Sequence, residues 1–262
     1  MPADAPGIVA RNLLLKDARA VLDALPAPHD QNEAIHAARK AIRRMRALLG
    51  LLVDDAFELD REDLALRRLG KGLSNMRDAH VVVETAKRLQ AAHPEAGWES
   101  VIQALALRRT RILQRSLAVD PRFVRRRRVI ERVVQNAEAQ PWQSLRRRSI
   151  RAALKSSERR ARKAAARAEH DDDPVTVHRW RRRVRRLRMQ LDAAQALGAL
   201  EAHGAGHAAA VQKGKALHKV SDRLGWNQDL RLLRNLVRSM PATAGKPEVM
   251  EVLERELESS GS

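Results

Sequence analysis

The sequence has no cysteine and no tyrosine, and its aromatic side chains are only six: Phe57, Phe123, Trp98, Trp142, Trp180 and Trp226. Without cysteine there is no disulfide framework, no thiolate metal site and no cysteine nucleophile. Proteins that grip single-stranded nucleic acid commonly stack bases on aromatic rings, and this chain offers few. No apolar run approaches the roughly 20 residues of a membrane-spanning helix. The opening residues lack the basic-then-apolar form of a secretory signal, so the cytoplasm is the expected compartment. Residues 259–262, Ser-Ser-Gly-Ser, read as a cloning remnant. Lysine is scarce as well, at 10 of the 51 cations, which leaves 41 arginines.

Acidic residues are scarce in one region only. Residues 100–190 hold 27 Lys and Arg against 8 Asp and Glu, and the remainder holds 24 of each. The middle of the chain therefore carries the whole net charge of +19. Arginine presents a planar fork that matches phosphate oxygens two at a time. An anionic partner gripped through its phosphates is the implied class.

What is present is helix. Of the 262 residues 44% are hydrophobic, enough for a buried core. Ala, Leu, Arg and Glu dominate, β-branched runs are short and period-two alternation is absent, so the expected fold class is all-α. Helices are predicted near 8–25, 31–53, 60–75, 77–92, 97–118, 121–139, 142–169, 175–197, 200–222, 228–240 and 247–258. Pro26 and Pro28 break the first helix, Asp30 is placed to cap the second, and Asp60 with Asp63 resembles a cap and its return contact. Pro121, Pro141 and Pro174 are placed to open helices, with Asp171–Asp173 favouring the last of these starts. Gly198 and Gly225 are expected stops.

An internal repeat organises the chain. His36-Ala-Ala-Arg-Lys-Ala-Ile-Arg-Arg-Met-Arg46 parallels His178-Arg-Trp-Arg-Arg-Arg-Val-Arg-Arg-Leu-Arg188. Leu66, Leu69, Leu73 and Asp78 find counterparts in Leu217, Val220, Leu224 and Asp229. Two helical units of similar plan are expected, 1–120 and 121–258, each long enough for a bundle of four or more helices.

On a helical wheel turning about 100° per residue, His36, Arg39, Lys40, Arg43, Arg44 and Arg46 fall within about 80° of His36. Ile35, Ala38, Ile42, Met45, Leu49 and Leu52 take the opposite face as a core stripe. His178, Arg181, Arg182, Arg185, Arg186 and Arg188 repeat the pattern, opposite Trp180, Val184, Leu187 and Leu191. Charged helix faces are usually no more than solvated faces, but those mix Glu with Lys. Here like charges sit at i, i+4 with no acid between them, twice, and each such pair costs a few tenths of a kcal/mol. A bound polyanion would offset that cost. Arg148, Arg151, Lys155, Arg159 and Arg162 form a third stripe. Arg108, Arg111, Arg115 and the run Arg125–Arg128 are outer candidates.

The two histidines at equivalent positions are expected to donate to phosphate oxygens. Neighbouring guanidinium groups oppose the imidazolium and a bound polyanion favours it, so binding should strengthen as pH falls through the histidine range. His80 and His218 are weaker candidates, and His29, His93, His170, His203 and His207 read as loop or helix-end residues. Asp78 and Asp229 are expected to cap a helix or to orient an arginine, as a supporting shell.

These motifs resemble the CHAD domain (conserved histidine α-helical domain): His36-x2-Arg39-Lys40-x2-Arg43-Arg44-Met45-Arg46, then Leu73-x3-Arg77-Asp78, and again from His178 and Leu224-Gly225 to Asp229. Ser74 and Gln228 depart from the family pattern at turn positions. The resemblance implies two four-helix-type bundles related by a pseudo-two-fold axis, with a central basic groove or pore. It also implies binding of long-chain inorganic polyphosphate and residence at polyphosphate granules. Many members carry a triphosphate-tunnel domain ahead of this one, which is not read in this chain. Two other functions compete. A general nucleic-acid binder fits the charge but lacks a groove-reading motif. A phosphoanhydride-processing enzyme would need clustered carboxylates for a metal or a P-loop, and neither is read here. The expectation is a binding protein with no catalytic residues, no metal and no cofactor.

Overall fold

The structure, a computed structural model, describes residues 5–26, 31–52, 56–171, 173–200 and 204–261. Every regular element among them is helical. The ten α-helices are α1 (Pro6–Ala24), α2 (Gln31–Leu49), α3 (Asp60–Gly72), α4 (Ser74–Ala92), α5 (Trp98–Val119), α6 (Val124–Glu138), α7 (Arg147–His170), α8 (Pro174–Ala196), α9 (Gly204–Ser239) and α10 (Lys246–Gly261).

Contacts divide the chain into two compact units that do not follow the sequence halves 1–120 and 121–258. One unit comprises Met1–Gly72 with Phe123–Ser221, the other Leu73–Arg122 with Asp222–Ser262. Each draws a segment from both halves of the sequence.

In the first unit α1 packs on α2 and α6, α2 on α3 and α8, and α7 along α8. The α1 face that makes this possible is Gly7, Ala10, Leu14, Ala18 and Val21, a helical period of small and branched side chains. Gly7 lies against the 3-10 turn over Trp142–Ser144, where an added Cβ would stand 1.7 Å from the Trp142 carbonyl oxygen. Trp142 is buried, donates Nε1–H to the Ala137 carbonyl at 2.8 Å, and meets Phe57 edge-on at 5.5 Å. The predicted α2 stripe is the core: Ile35, Ala38, Ile42, Met45, Leu49 and Leu52 are all buried.

In the second unit α4 packs on α5, and α10 packs on α5. Val82, Val83, Ala86, Leu89, Trp98, Val101 and Leu105 join Leu230, Leu233, Val237, Val249, Val252 and Leu253 in one apolar cluster. Gly97 and Gly245, at φ 62° and 75°, stand back to back, and a Cβ on Gly245 would reach the Gly97 carbonyl oxygen at 2.0 Å. Trp98 Nε1 donates to the His93 carbonyl at 2.9 Å, and His93 Nε2 meets Glu256 Oε1 at 3.0 Å.

Several boundaries differ from the sequence expectation. Gly225 stops nothing: α9 runs through it, so the helices predicted at 200–222 and 228–240 are one. The buried positions Ser221, Leu224, Leu230, Leu233 and Val237 keep a helical period across that glycine, and packing outweighs its backbone entropy. Pro121 and Pro141 introduce 3-10 turns, and α7 begins only at Arg147. Asp60 is the first residue of α3, and Asp63 turns its carboxylate to Arg46 instead of to a cap. Trp180, expected in the core, is half-buried. Pro174 does open α8, capped by Asp173, which accepts from the Val175 amide at 3.2 Å. Gly198 ends that helix at φ 62°, where the Ala199 amide reaches the Ala194 carbonyl at 3.0 Å. Asp30, His29, Asp172 and His203 lie outside the described residues, as does the His207 side chain.

Candidate functional site

The two basic helices pack against each other within the first unit. The contact is made by polar as well as apolar groups. Gln190 of α8, fully buried, donates Nε2–H to the Ala47 carbonyl of α2 at 3.2 Å. Arg186 Nη2 donates to the Arg46 carbonyl at 3.2 Å, and its guanidinium fills the space beside Gly50. Gly50 lacks the Cβ that would stand 2.1 Å from that nitrogen.

This packing crowds cations from four helices. Arg186 has its pKa lowered first by burial, then by Arg46, Arg183 and Arg160, while Asp63 opposes the fall. Arg182, more exposed, is lowered by its own desolvation and by Arg179, Arg183, Arg67 and Arg46. Both remain charged at neutral pH because guanidinium is so basic. The cluster thus joins Arg46 of α2 and Arg67 of α3 to Arg160 of α7 and to Arg179, Arg182, Arg183 and Arg186 of α8.

The remaining sequence-predicted residues are placed as follows. Along α2, His36, Arg39, Arg43, Arg44 and Arg46 are half-buried, and Lys40 is exposed. Arg39 Nη1 donates to the Gly70 carbonyl of α3. Along α8, His178 and Arg182 are exposed, Arg185, Arg186 and Arg188 are half-buried, and Arg181 is buried at 6% exposure. Arg188 Nη1 donates to His218 Nδ1 at 3.3 Å. Arg148, Arg151, Lys155, Arg159 and Arg162 are all exposed, on the face of α7 opposite its buried Ile150, Ala153, Leu154, Ser157, Ala161 and Ala164. From α7 it is Arg160, outside that stripe, that acts on Arg186.

Two carboxylates that sequence reasoning did not connect to the stripes lie on them. Asp63 of α3 receives Arg46 Nε and Nη2 on its two oxygens at 2.9 and 3.0 Å. Asp17 of α1 receives Arg44 Nε at 2.8 Å and also Arg44 Nη2. The uniform sign of the α2 stripe is therefore partly compensated from neighbouring helices. A weak signal existed: Asp17 adjoins Ala18 on the buried face of α1, and Asp63 lies in the first turn of α3. Asp78 and Asp229, matched across the sequence repeat, belong to the second unit. Both accept from Arg77 Nη1, at 3.1 and 3.4 Å, so each helps orient an arginine, and that arginine is not in either basic stripe. His80 is half-buried on α4. Arg108, Arg111 and Arg115 lie exposed on α5.

Among the described residues no group of three or more His, Asp or Glu side chains could hold a metal ion. No described helix is long and apolar enough to cross a membrane.

Every regular element among the described residues is helical, and two arginine-rich helices, α2 and α8, pack together with His36 and His178 just over one turn inside their starts. The sequence model of the CHAD domain matches residues 11–238, most of the chain, and the protein belongs to the CHAD domain family. Among solved structures, the crystal structure of the CHAD domain from the plant Ricinus communis superposes with a TM-score of 0.64 at 21% identity. The alignment covers 99% of this chain and 87% of that one. At that identity the likeness is one of fold. No curated protein matches the chain.

Proposed function

We propose that the protein binds long-chain inorganic polyphosphate along the paired faces of α2 and α8, without acting on it chemically. The observation that carries this is the packing of α2 on α8, which gathers Arg46, Arg182 and Arg186 with Arg67, Arg160, Arg179 and Arg183. Desolvating the Arg186 guanidinium beside Arg46, Arg183 and Arg160 raises the free energy of the empty protein. A phosphate chain supplies closely spaced negative charge that relieves it, through charge-assisted and bidentate hydrogen bonds. The family's association with polyphosphate points the same way.

Within this reading His36, Arg39, Lys40, Arg43, Arg44, Arg46, His178, Arg181, Arg182, Arg185, Arg186 and Arg188 form the binding face. Arg148, Arg151, Lys155, Arg159 and Arg162 give a long chain further contacts on the outer side of α7. The pseudo-two-fold relation and central groove that the family suggests would align the equivalent stripes on one ligand. Residence at cytoplasmic polyphosphate granules follows from the ligand.

Calorimetric titration with polyphosphates of graded length tests the proposal, with orthophosphate and ATP as controls. Affinity that climbs with chain length supports it. Long-chain polyphosphate binding no better than ATP rejects it. Orthophosphate release on adding magnesium or manganese would overturn the non-catalytic assignment.

A further inference from the structure

Resting on that reading of the α2–α8 face, we infer that Asp63 and Asp17 are tethered counter-anions that a ligand must displace, and that they set the minimum phosphate chain length the protein accepts. The geometry is that of a phosphate stand-in. Asp63 offers two oxygens to Nε and Nη2 of Arg46 at 2.9 and 3.0 Å, the two-point pattern by which arginine also grips a phosphate. Asp17 holds Arg44 differently, accepting from both Nε and Nη2 on a single oxygen. Two of the α2 cations thus already hold an anion supplied by α3 or α1.

These pairs are placed to exchange. The Arg46 and Asp63 side chains are 28% and 31% exposed, so solvent and ligand reach both. Arg44 is 40% exposed, with Asp17 at 13% beneath it. Partly exposed ion pairs are weak individually, because water screens them and long side chains lose freedom in making them. Asp63 also lies close enough to Arg186 to favour its charge, so one carboxylate serves cations of α2 and α8 together.

Length selection follows from effective concentration. A carboxylate on the same molecule competes at about millimolar effective concentration or above. A free orthophosphate below that level loses the guanidinium to it. A long chain already lying on Arg182, Arg183 and Lys40 delivers its next phosphate from a tether of its own, at a comparable effective concentration, and takes the fork. Short phosphates have no such anchorage.

The test compares wild type with Asp63→Asn, Asp17→Asn and the double variant, titrated with tripolyphosphate and with long-chain polyphosphate. Asparagine keeps the shape and an acceptor oxygen while removing the charge. Thermal melts and circular dichroism verify that each variant folds, and either single variant suffices if the double one does not. The expected result is tripolyphosphate binding about tenfold tighter, with a log K versus log salt slope steeper by about 0.7 per guanidinium released. Long-chain affinity should change by less than about threefold. Equal tightening at both lengths overturns the length-setting role. Weaker binding at both lengths overturns displacement altogether and makes the acids positioning groups. Wild type that fails to bind long-chain polyphosphate removes the underlying reading instead, before any variant is compared.

Discussion

Arg186 retains its charge against two opposing influences, burial and the neighbouring Arg46, Arg183 and Arg160, with Asp63 as its support. Only a guanidinium tolerates that position at neutral pH. Lysine begins about two pK units lower and neutralises readily when desolvated. In an Arg186→Lys variant the ammonium pKa should fall below the ordinary lysine value. Ligand phosphates favour the charged form, so the complex holds the proton more tightly than the free protein does. Affinity of the variant should therefore weaken from about pH 7 to about pH 10, by up to about tenfold per pH unit above the lowered value. Residue 186 contributes no such decline in wild type. Titrations in buffers of different ionisation enthalpy report the proton uptake directly, and parallel pH profiles for the two proteins would contradict the argument.

Helices decide how far the sequence discloses the structure. Gly214 sits inside α9 with nothing within 4 Å of an added Cβ, so Gly214→Ala should stabilise by about 0.5–1 kcal/mol in denaturant unfolding. Gly245→Ala should do the opposite. Its φ of 75° and the 2.0 Å approach to the Gly97 carbonyl oxygen combine a left-handed penalty with a backbone clash, at a cost of about 2 kcal/mol or more. The apolar stripe of α2 was legible, since all six expected positions are buried, but the helix ends at Leu49 and not at 53, and Ala47 on the basic side is buried as well. Pro141 and Gly225 misled for a common reason: proline and glycine report what the backbone permits, while packing chooses. Trp142, in its 3-10 turn, donates its indole N–H to Ala137 at the end of α6, and Leu224 and Leu230 hold α9 together across its glycine. In the candidate site the sequence pattern singles out Arg46, Arg182 and Arg186, but not Arg67, Arg160, Arg179 and Arg183, which crowd them, and not the acidic partners. Arg46 meets Asp63, and Arg44 meets Asp17, only because α3 and α1 come to lie beside α2.

At the level of the whole molecule, the charge of +19 governs how binding responds to conditions. Each engaged phosphate should release counterions, with a slope near −0.7 in log K against log salt for a single-stranded polyanion. Six or more contacts then predict a loss of about a hundredfold or more in affinity between about 50 and 200 mM salt. Fluorescence anisotropy with labelled polyphosphate measures that slope. Duplex DNA at equal phosphate concentration should displace the label poorly, because Arg39, Arg43, Arg46, Arg185 and Arg186 lie half-buried on α2 and α8, and a flexible single chain reaches them where a stiff duplex does not. Efficient displacement by the duplex would remove selectivity from the assignment.

Neither compact unit is written contiguously. A nascent chain that has emerged through residue 120 has completed neither Met1–Gly72 with Phe123–Ser221 nor Leu73–Arg122 with Asp222–Ser262. The arginine ridge of α2 leaves the ribosome long before α8 exists to cover its flank. During that interval the ridge belongs to a stretch of chain whose cations and acids nearly balance, with Asp17 and Asp63 already made to hold Arg44 and Arg46, and translation speed through the second half fixes how long its α8 flank lies open.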